Sequence, residues 1–176
     1  MKDYLMPAMG TYQDPLTNYS NLNYLGEIYV GSGQEKFMVV WDTGSGAFLL
    51  ESSACSGCNG DTFTIADSTS FAYKSPDEYD TVAYLDGTSL TGQVALDKIC
   101  PTTGDANSCG NTAQFVALTA QNGLGDHEDG ILGLWSGNVS SYISGTGDEE
   151  MFMKHMKADS DITEETFSFY MTGLDG

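Results

Sequence analysis

The first residues able to do chemistry are Asp42-Thr43-Gly44-Ser45, set between two apolar runs, Phe37–Trp41 and Ala47–Leu50. Apolar runs of this length bounded by turn residues read as buried strands. A lone carboxylate between them is costly to bury unless hydrogen bonds hold it. Thr43 and Ser45 bring hydroxyl donors, and Gly44 and Gly46 let backbone N–H groups approach closely. An Asp surrounded by donors on a tight loop is a candidate catalytic group. The competing reading is a strand–turn–strand in which Asp42 only caps the turn.

The four cysteines are the second chemical feature. Cys55 and Cys58 lie in one Gly/Ser/Asn-rich loop, and Cys100 and Cys109 in another. Two local disulfides in an oxidising compartment are the preferred reading, and a zinc site joining both loops is the alternative. Two Asn-x-Ser sequons, at Asn18 and Asn138, permit glycosylation.

The elements that must position these residues read as mainly β. The chain has 176 residues, enough for one core, with 21 glycines and aromatic and β-branched residues throughout. We expect a loose arm over residues 1–13 and a single domain over 14–176. Strands are expected at Tyr24–Val30, Lys36–Trp41, Ala47–Leu50, Ala113–Leu118 and Phe167–Met171, with a possible short one at Thr62–Ile65. Glu51–Asp61 and Asp67–Glu78 read as loops. Asp80–Leu96 reads as a long hairpin with Asp86-Gly87 at its tip, and Gly87 and Gly92 suggest light packing there. A helix is expected from near Asp148, with Thr146 and Glu149 as a capping box and Phe152 and Met156 on one face. Asp161 with Glu164 could open another helical turn.

Net charge is −19, from 25 acids against 6 bases. That opposes binding to nucleic acid or to an anionic membrane, and it suits an acidic compartment. No apolar run reaches the ~18 residues of a membrane span, and no signal peptide is visible at the start of this sequence. The glycines after Val30 do not form a phosphate-binding loop.

Three separated features, taken together, resemble the N-terminal lobe of a pepsin-like aspartic protease. They are the Asp42-Thr43-Gly44-Ser45 loop, the hairpin carrying Tyr84 before Asp86-Gly87, and the run Asp129-Gly130-Ile131-Leu132-Gly133-Leu134. Pro15-Leu16 with Asn18-Tyr19, then Tyr24 and Gly26, resembles the start of a mature enzyme of that family. Phe167–Tyr170 resembles the strand that closes its first lobe. The resemblance implies a mainly-β lobe, a double-ψ type barrel or sandwich with a flap hairpin and one or two short helices.

It also implies roles. Asp42 would be one member of a catalytic dyad, Thr43 and Gly44 would shape its loop, and Ser45 would hydrogen-bond it. Tyr84 would close over substrate, with Gly87 and Thr88 at the flap tip contacting substrate backbone. Ile131 would line the pocket, and Leu132-Gly133 would brace the loop. Cys55–Cys58 would be a shortened form of the family's small-loop disulfide. Without the resemblance, Tyr84 reads equally as a cross-strand aromatic and Ile131 as core.

The implied activity is endopeptidase cleavage at acidic pH by a water activated between two Asp groups, with no metal or cofactor. The expected compartment is secreted, lysosomal or vacuolar. Asp42 is the only Asp followed by Thr-Gly or Ser-Gly, so the chain by itself is expected to be inactive. The expected partners are a polypeptide substrate and either a C-terminal lobe or a second copy of this chain. A non-catalytic peptide-binding domain is the remaining alternative. Leu49 stands where the family usually has a tryptophan that hydrogen-bonds the flap tyrosine.

Overall fold

The structure, a computed structural model, describes residues 12–102, 109–135, 151–159 and 162–173. Its core is a single mixed sheet. The strands are β1 (Thr17–Tyr19), β2 (Asn23–Val30), β3 (Glu35–Asp42), β4 (Phe48–Ser56), β5 (Ala72–Tyr73), β6 (Tyr79–Ala83), β7 (Ser89–Cys100), β8 (Gly110–Asn122) and β9 (Gly130–Gly133). Their order is β1-β2-β3-β9-β4-β8-β7-β5, and β6 also pairs with β7. A further pairing of β2 with β7, Tyr29 opposite Cys100 and Val30 opposite Ile99, closes the central six strands into a barrel.

Alternation decides which faces go inside. Ile28 and Val30 of β2 and Phe37 and Val39 of β3 are buried, as the period of a strand requires. They meet Phe48, Phe63, Phe115 and Leu132 in the main core. The ring of Phe63 packs edge-on against Phe37 and Phe115, with centroids 6.1 and 6.0 Å apart. Each such ring contributes about 1.5–3 kcal/mol by leaving water. A second cluster, separate from the first, groups Ala47, Leu49, Leu90, Val116, Leu118, Leu124 and Ile131.

β9 is the strand that shapes the chemistry. It runs parallel to β3, with Val40 opposite Ile131 and Asp42 opposite Gly133. It runs antiparallel to β4, with Phe48 opposite Leu132. A strand from 90 residues later is thus threaded between two strands joined by the Asp42 loop. Close approach demands glycine here: a Cβ on Gly133 would fall 2.6 Å from Ala47 N, and one on Gly130 would strike the carbonyl of Leu49.

Several expectations need correction. β4 does not stop at Leu50 but continues to Ser56, because Leu49–Glu51 and then Ser56 pair in parallel with β8. Thr62–Ile65 makes only an isolated bridge, Phe63 with Ser52, before a 3-10 turn at Ile65–Asp67. The stretch 67–78 contains β5, held against Leu96 and Ala95 of β7. Gly92 is not lightly packed, since a Cβ there would strike the backbone of Ala117. No strand occurs among the described residues 162–173. Phe167, Phe169 and Met171 alternate suitably, yet no neighbouring strand pairs with them, and Phe167, Tyr170 and Met171 are exposed.

The helix α1 (Phe152–Ala158) buries Phe152 and Met156, and its N-cap Met151 makes no side-chain cap bond. The proposed capping box, the sequon at Asn138 and Asp161 lie outside the described residues, as does most of the N-terminal arm. No described helix is long and apolar enough to cross a membrane.

Candidate functional site

Asp42 is the last residue of β3, half-buried at the mouth of the barrel. Its Oδ1 accepts the Gly44 N–H at 2.8 Å and its Oδ2 accepts the Ser45 hydroxyl at 2.6 Å. Both oxygens therefore have donors within hydrogen-bonding distance. A Cβ on Gly44 would sit 3.2 Å from Oδ1, so the small residue leaves that approach open. Thr43 is exposed at the top of the turn.

Three backbone bonds fix this loop to the end of β9. Leu134 N donates to Asp42 O at 2.7 Å, Trp135 N to Ser45 O at 2.9 Å, and Gly133 N to Ala47 O at 2.9 Å. The loop is therefore braced from outside its own sequence, and the backbone of Gly133, Leu134 and Trp135 supplies the brace. These bonds fix the backbone that carries the carboxylate.

The hairpin β6–β7 reaches over the same place. Ala83 pairs with Ser89, and the turn between them holds Tyr84 to Thr88. Gly87 N donates to Tyr84 O at 3.1 Å, with Gly87 in the left-handed region at φ 95°, where glycine is at ease. Thr88 N donates to Asp86 Oδ1 at 2.8 Å, and Tyr84 N donates to Thr88 O at 2.8 Å. Nothing lies within 4 Å of a Cβ on Gly87. Thr88 is 8% exposed and turned against Gly123. The Thr88 backbone bonds within the hairpin hold the Asp86 carboxyl below its ordinary value.

Tyr84 joins the hairpin to the loop. Its hydroxyl donates to Ser45 Oγ at 3.4 Å, a long bond, and Ser45 in turn donates to Asp42. Leu49 offers no donor and is fully buried in the second cluster, and the Tyr84 ring packs on that same cluster. The tyrosine hydroxyl thus turns to Ser45. Burial pushes it up to about 12; the Ser45 bond works against this, while the charges of Asp42 and Asp86 add to it. Ile131, 7% exposed, belongs to the same cluster beneath Tyr84. The structure therefore gathers Asp42, Gly44, Ser45, Tyr84 and Ile131, with Gly87 free at the hairpin tip.

The cysteines pair as Cys55–Cys58 and Cys100–Cys109, which leaves none for zinc. Among the described residues no group of His, Cys, Asp or Glu is placed to hold a metal ion.

Some residues gain importance only in three dimensions. Asp129 accepts the Met38 N–H at 2.6 Å and the Asp61 N–H at 2.7 Å. Glu51 is 0% exposed and accepts the Gly60 N–H at 2.9 Å. An acid directly after the apolar run Phe48–Leu50 is the one sequence signal that marked Glu51. A hollow of about 770 Å³ lies on a different face, lined by Asp14, Trp41, Phe152, Met156, Phe167 and Phe169 among others, and none of the expected site residues borders it.

Residues 23–175 match the family described as "Eukaryotic aspartyl protease". The chain is 32% identical over 171 residues to "Vacuolar protease A" of Neurospora crassa, covering 95% of this chain and 41% of that protein. It is 30% identical to "Pepsin A" of Gallus gallus over 186 residues, 96% of this chain and 44% of that one. With "Rhizopuspepsin" of Rhizopus chinensis it shares 28% over 131 residues, 74% and 33% of the two chains. This chain belongs to the eukaryotic aspartyl protease family. It spans between about a third and somewhat under half of the length of these relatives. They include vacuolar and pepsin-type proteins, and two disulfides fit an oxidising compartment.

Proposed function

We propose that this chain supplies the N-terminal half of a two-lobed aspartic endopeptidase, with Asp42 as one of two catalytic carboxyls. The observation that carries this reading is the braced, half-exposed Asp42 with a donor on each oxygen, under a hairpin whose Tyr84 hydroxyl reaches the same Ser45. A turn cap would need one donor and no cover.

The chemistry follows from pairing. Two adjacent carboxyls cannot both ionise, so they share a proton and titrate as a pair. The ionised member takes a proton from a bound water, and the protonated member polarises the peptide carbonyl. Gly44 N–H and the Ser45 hydroxyl would steady the negative charge on Asp42. Tyr84 and the open Gly87 backbone would close over the peptide, with Thr88 holding the turn from within, and Ile131 would floor the pocket. Closure keeps bulk water from the reaction. One carboxyl must stay protonated, so turnover belongs to acidic pH in a secreted or vacuolar compartment.

The second carboxyl would come from a C-terminal lobe. The hollow beside Trp41, Phe152 and Phe167, with Tyr170 and Met171 exposed nearby, offers that lobe apolar surface. The test is peptide hydrolysis at acidic pH by this 176-residue chain alone and by the chain joined to a C-terminal lobe that brings a second Asp-Thr/Ser-Gly loop. Cleavage only by the joined form, lost in Asp42→Ala, is the expected result. Cleavage by this chain alone, second order in protein and lost in Asp42→Ala, would replace the two-lobe reading with a homodimer. Peptide binding without turnover in either form would leave a binding domain.

A further inference from the structure

Glu51 and Asp129 form a cluster that the proposed reaction does not use. Glu51 lies within β4 at 0% exposure, and Asp129 stands just before β9 at 5%. Their carboxyls take successive N–H groups of one turn: Gly60 N donates to Glu51 Oε2 at 2.9 Å, and Asp61 N to Asp129 Oδ1 at 2.7 Å. Asp129 Oδ2 takes the Met38 N–H at 2.6 Å. Glu51 Oε1 is buried with no hydrogen-bond partner. Gly60 makes the joint approach feasible, since a Cβ there would fall 2.6 Å from Asp129 Oδ1.

The surroundings supply little positive charge. On β3, Lys36 attracts Asp129, but its ammonium is half-exposed and paired with Glu27 at 3.1 Å. On the turn, the charge of Asp61 opposes that of Asp129. On β8, Leu118 lies opposite Glu51, and residues 116–120 carry no titratable group. Beside Asp129, Glu128 is engaged with Asn23 and with Gly125 N, and the His127 ring stacks on Tyr19. Two ionised carboxylates at this depth would be uncompensated, and a buried oxygen without a donor is costly. Asp129 has an N–H on each oxygen and is the carboxylate. The backbone N–H groups of Gly60 and Asn59 favour charge on Glu51, but burial outweighs them and Oε1 is left without a partner, so Glu51 is the acid.

We propose that Glu51 and Asp129 form a proton-holding clasp on the Gly60–Asp61 turn of the Cys55–Cys58 loop, closed while Glu51 keeps its proton and released when Glu51 ionises. Met38, the third anchor of the clasp, lies on the same strand as Asp42, so the clasp secures the middle of the strand that carries the carboxylate at its end. Burial pushes both acids above their ordinary values, and the Asp129 charge adds to the rise at Glu51. An acid raised in the folded state binds its proton more tightly folded than unfolded. Its stabilisation is complete below the unfolded value and is lost as pH rises through the folded value. The clasp is therefore closed in acid and opens towards neutral pH. This inference does not depend on the protease reading, because protonation and loop opening are read without substrate.

The test uses the full native protein with 13C-carboxyl glutamate. In an NMR titration one glutamate carboxyl, assigned to Glu51 through its backbone amide, should titrate well above the others. Hydrogen exchange at the Gly60 and Asp61 amides, corrected for intrinsic rates, should lose about tenfold protection for each unit by which that value is raised, over the pH range in which that carboxyl is seen to titrate. Glu51→Gln, a neutral isostere of the acid form, should keep the protection and flatten this dependence. An ordinary value for Glu51, or the same loss of protection in Glu51→Gln, overturns the clasp. If the variant does not fold, the wild-type titration decides alone, because Glu51 is the one fully buried glutamate among the described residues.

Discussion

Asp42 and Asp129 sit at opposite ends of the same pair of strands, and the contrast between them separates chemistry from architecture. Asp42 ends β3 opposite Gly133, and Asp129 precedes Gly130, which lies opposite Val39. Each carboxylate accepts two hydrogen bonds. The donors of Asp42 come from two and three residues away, one of them a hydroxyl that can rotate. The donors of Asp129 are backbone N–H groups 91 and 68 residues away, fixed by the fold itself. Asp42 is half-open to water, whereas Asp129 is 5% exposed. A reacting carboxylate needs neighbours that tolerate a change of protonation and room for a reactant. A structural carboxylate needs the reverse.

The widest separation should come from removing each acid in turn. In the proposed two-lobed protein, Asp42→Asn should lower peptide turnover by about 10²–10⁴-fold or more. Its urea midpoint should move by under about 1 kcal/mol in stability, since the group is half-exposed and its shape is kept. Asp129→Ala should do the opposite. The part-buried N–H groups of Met38 and Asp61 lose their acceptor, at no more than about 1–3 kcal/mol each, so urea unfolding should show a loss of about 2–4 kcal/mol. Equal stability losses for the two variants would erase the distinction. Gly133→Ala tests the link between the two sites, because its Cβ would fall 2.6 Å from Ala47 N with rigid backbone on both sides. A loss of about 1–3 kcal/mol is expected, together with weakened turnover, as the Asp42 loop loses its brace.

The pH dependence of stability sharpens the contrast on a third acid. Burial pushes Asp14 up to about 7, and a backbone bond from Glu27 only partly offsets it. Its Oδ2 is buried without a partner near the equally unpartnered Trp41 Nε1, in a notch left by Gly26. The native state therefore binds the Asp14 proton more tightly than the unfolded chain does. Stability from this group is complete below the ordinary carboxylate range and is lost as pH rises to about 7. The slope per proton is at most about 1.4 kcal/mol per pH unit. Chemical unfolding measured across that range should show stability falling with pH, and Asp14→Asn should flatten the fall. Stability that rises with pH in the wild type would contradict the assignment.

The Asp42 loop was legible because its hydrogen bonds are local. Donors two and three residues from Asp42 can be read from the order of residue types, and Asp86-Gly87 marks a hairpin tip for the same reason. Glu51 was not legible in that way. It reads as the start of a loop, yet β4 runs on because β8 lies beside it, and the acid is tolerated because Gly60 N–H turns back to meet it. Asp129 is followed by Gly-Ile rather than by Thr-Gly or Ser-Gly, and its partners Met38 and Asp61 could not be seen from its neighbours. Phe167–Met171 has the alternation of a strand and none of the pairing. Pattern specifies which face is apolar, and a strand exists only where another backbone meets it.

The smallest effect expected is also the one that tests the tie between the two halves of the site. Tyr84→Phe removes only a hydroxyl whose bond to Ser45 is 3.4 Å long. A bond of that length contributes little, so stability should change by well under about 1 kcal/mol. Ser45 still donates to Asp42 without it, so the Asp42 loop should keep its geometry. Turnover is another matter, because closing the hairpin over a peptide excludes water and positions the reacting bond. In the two-lobed protein, Tyr84→Phe should reduce kcat/KM by a few-fold to about tenfold while the unfolding midpoint stays put. Leu49→Trp is the companion variant. An indole N–H placed there would compete for the tyrosine hydroxyl and draw it from Ser45, so its effect on kcat/KM should vanish in the Tyr84→Phe background. If Leu49→Trp acts equally with and without the hydroxyl, the Tyr84–Ser45 contact does not govern the hairpin, and the packing of Tyr84 on Leu49 and Ile131 does.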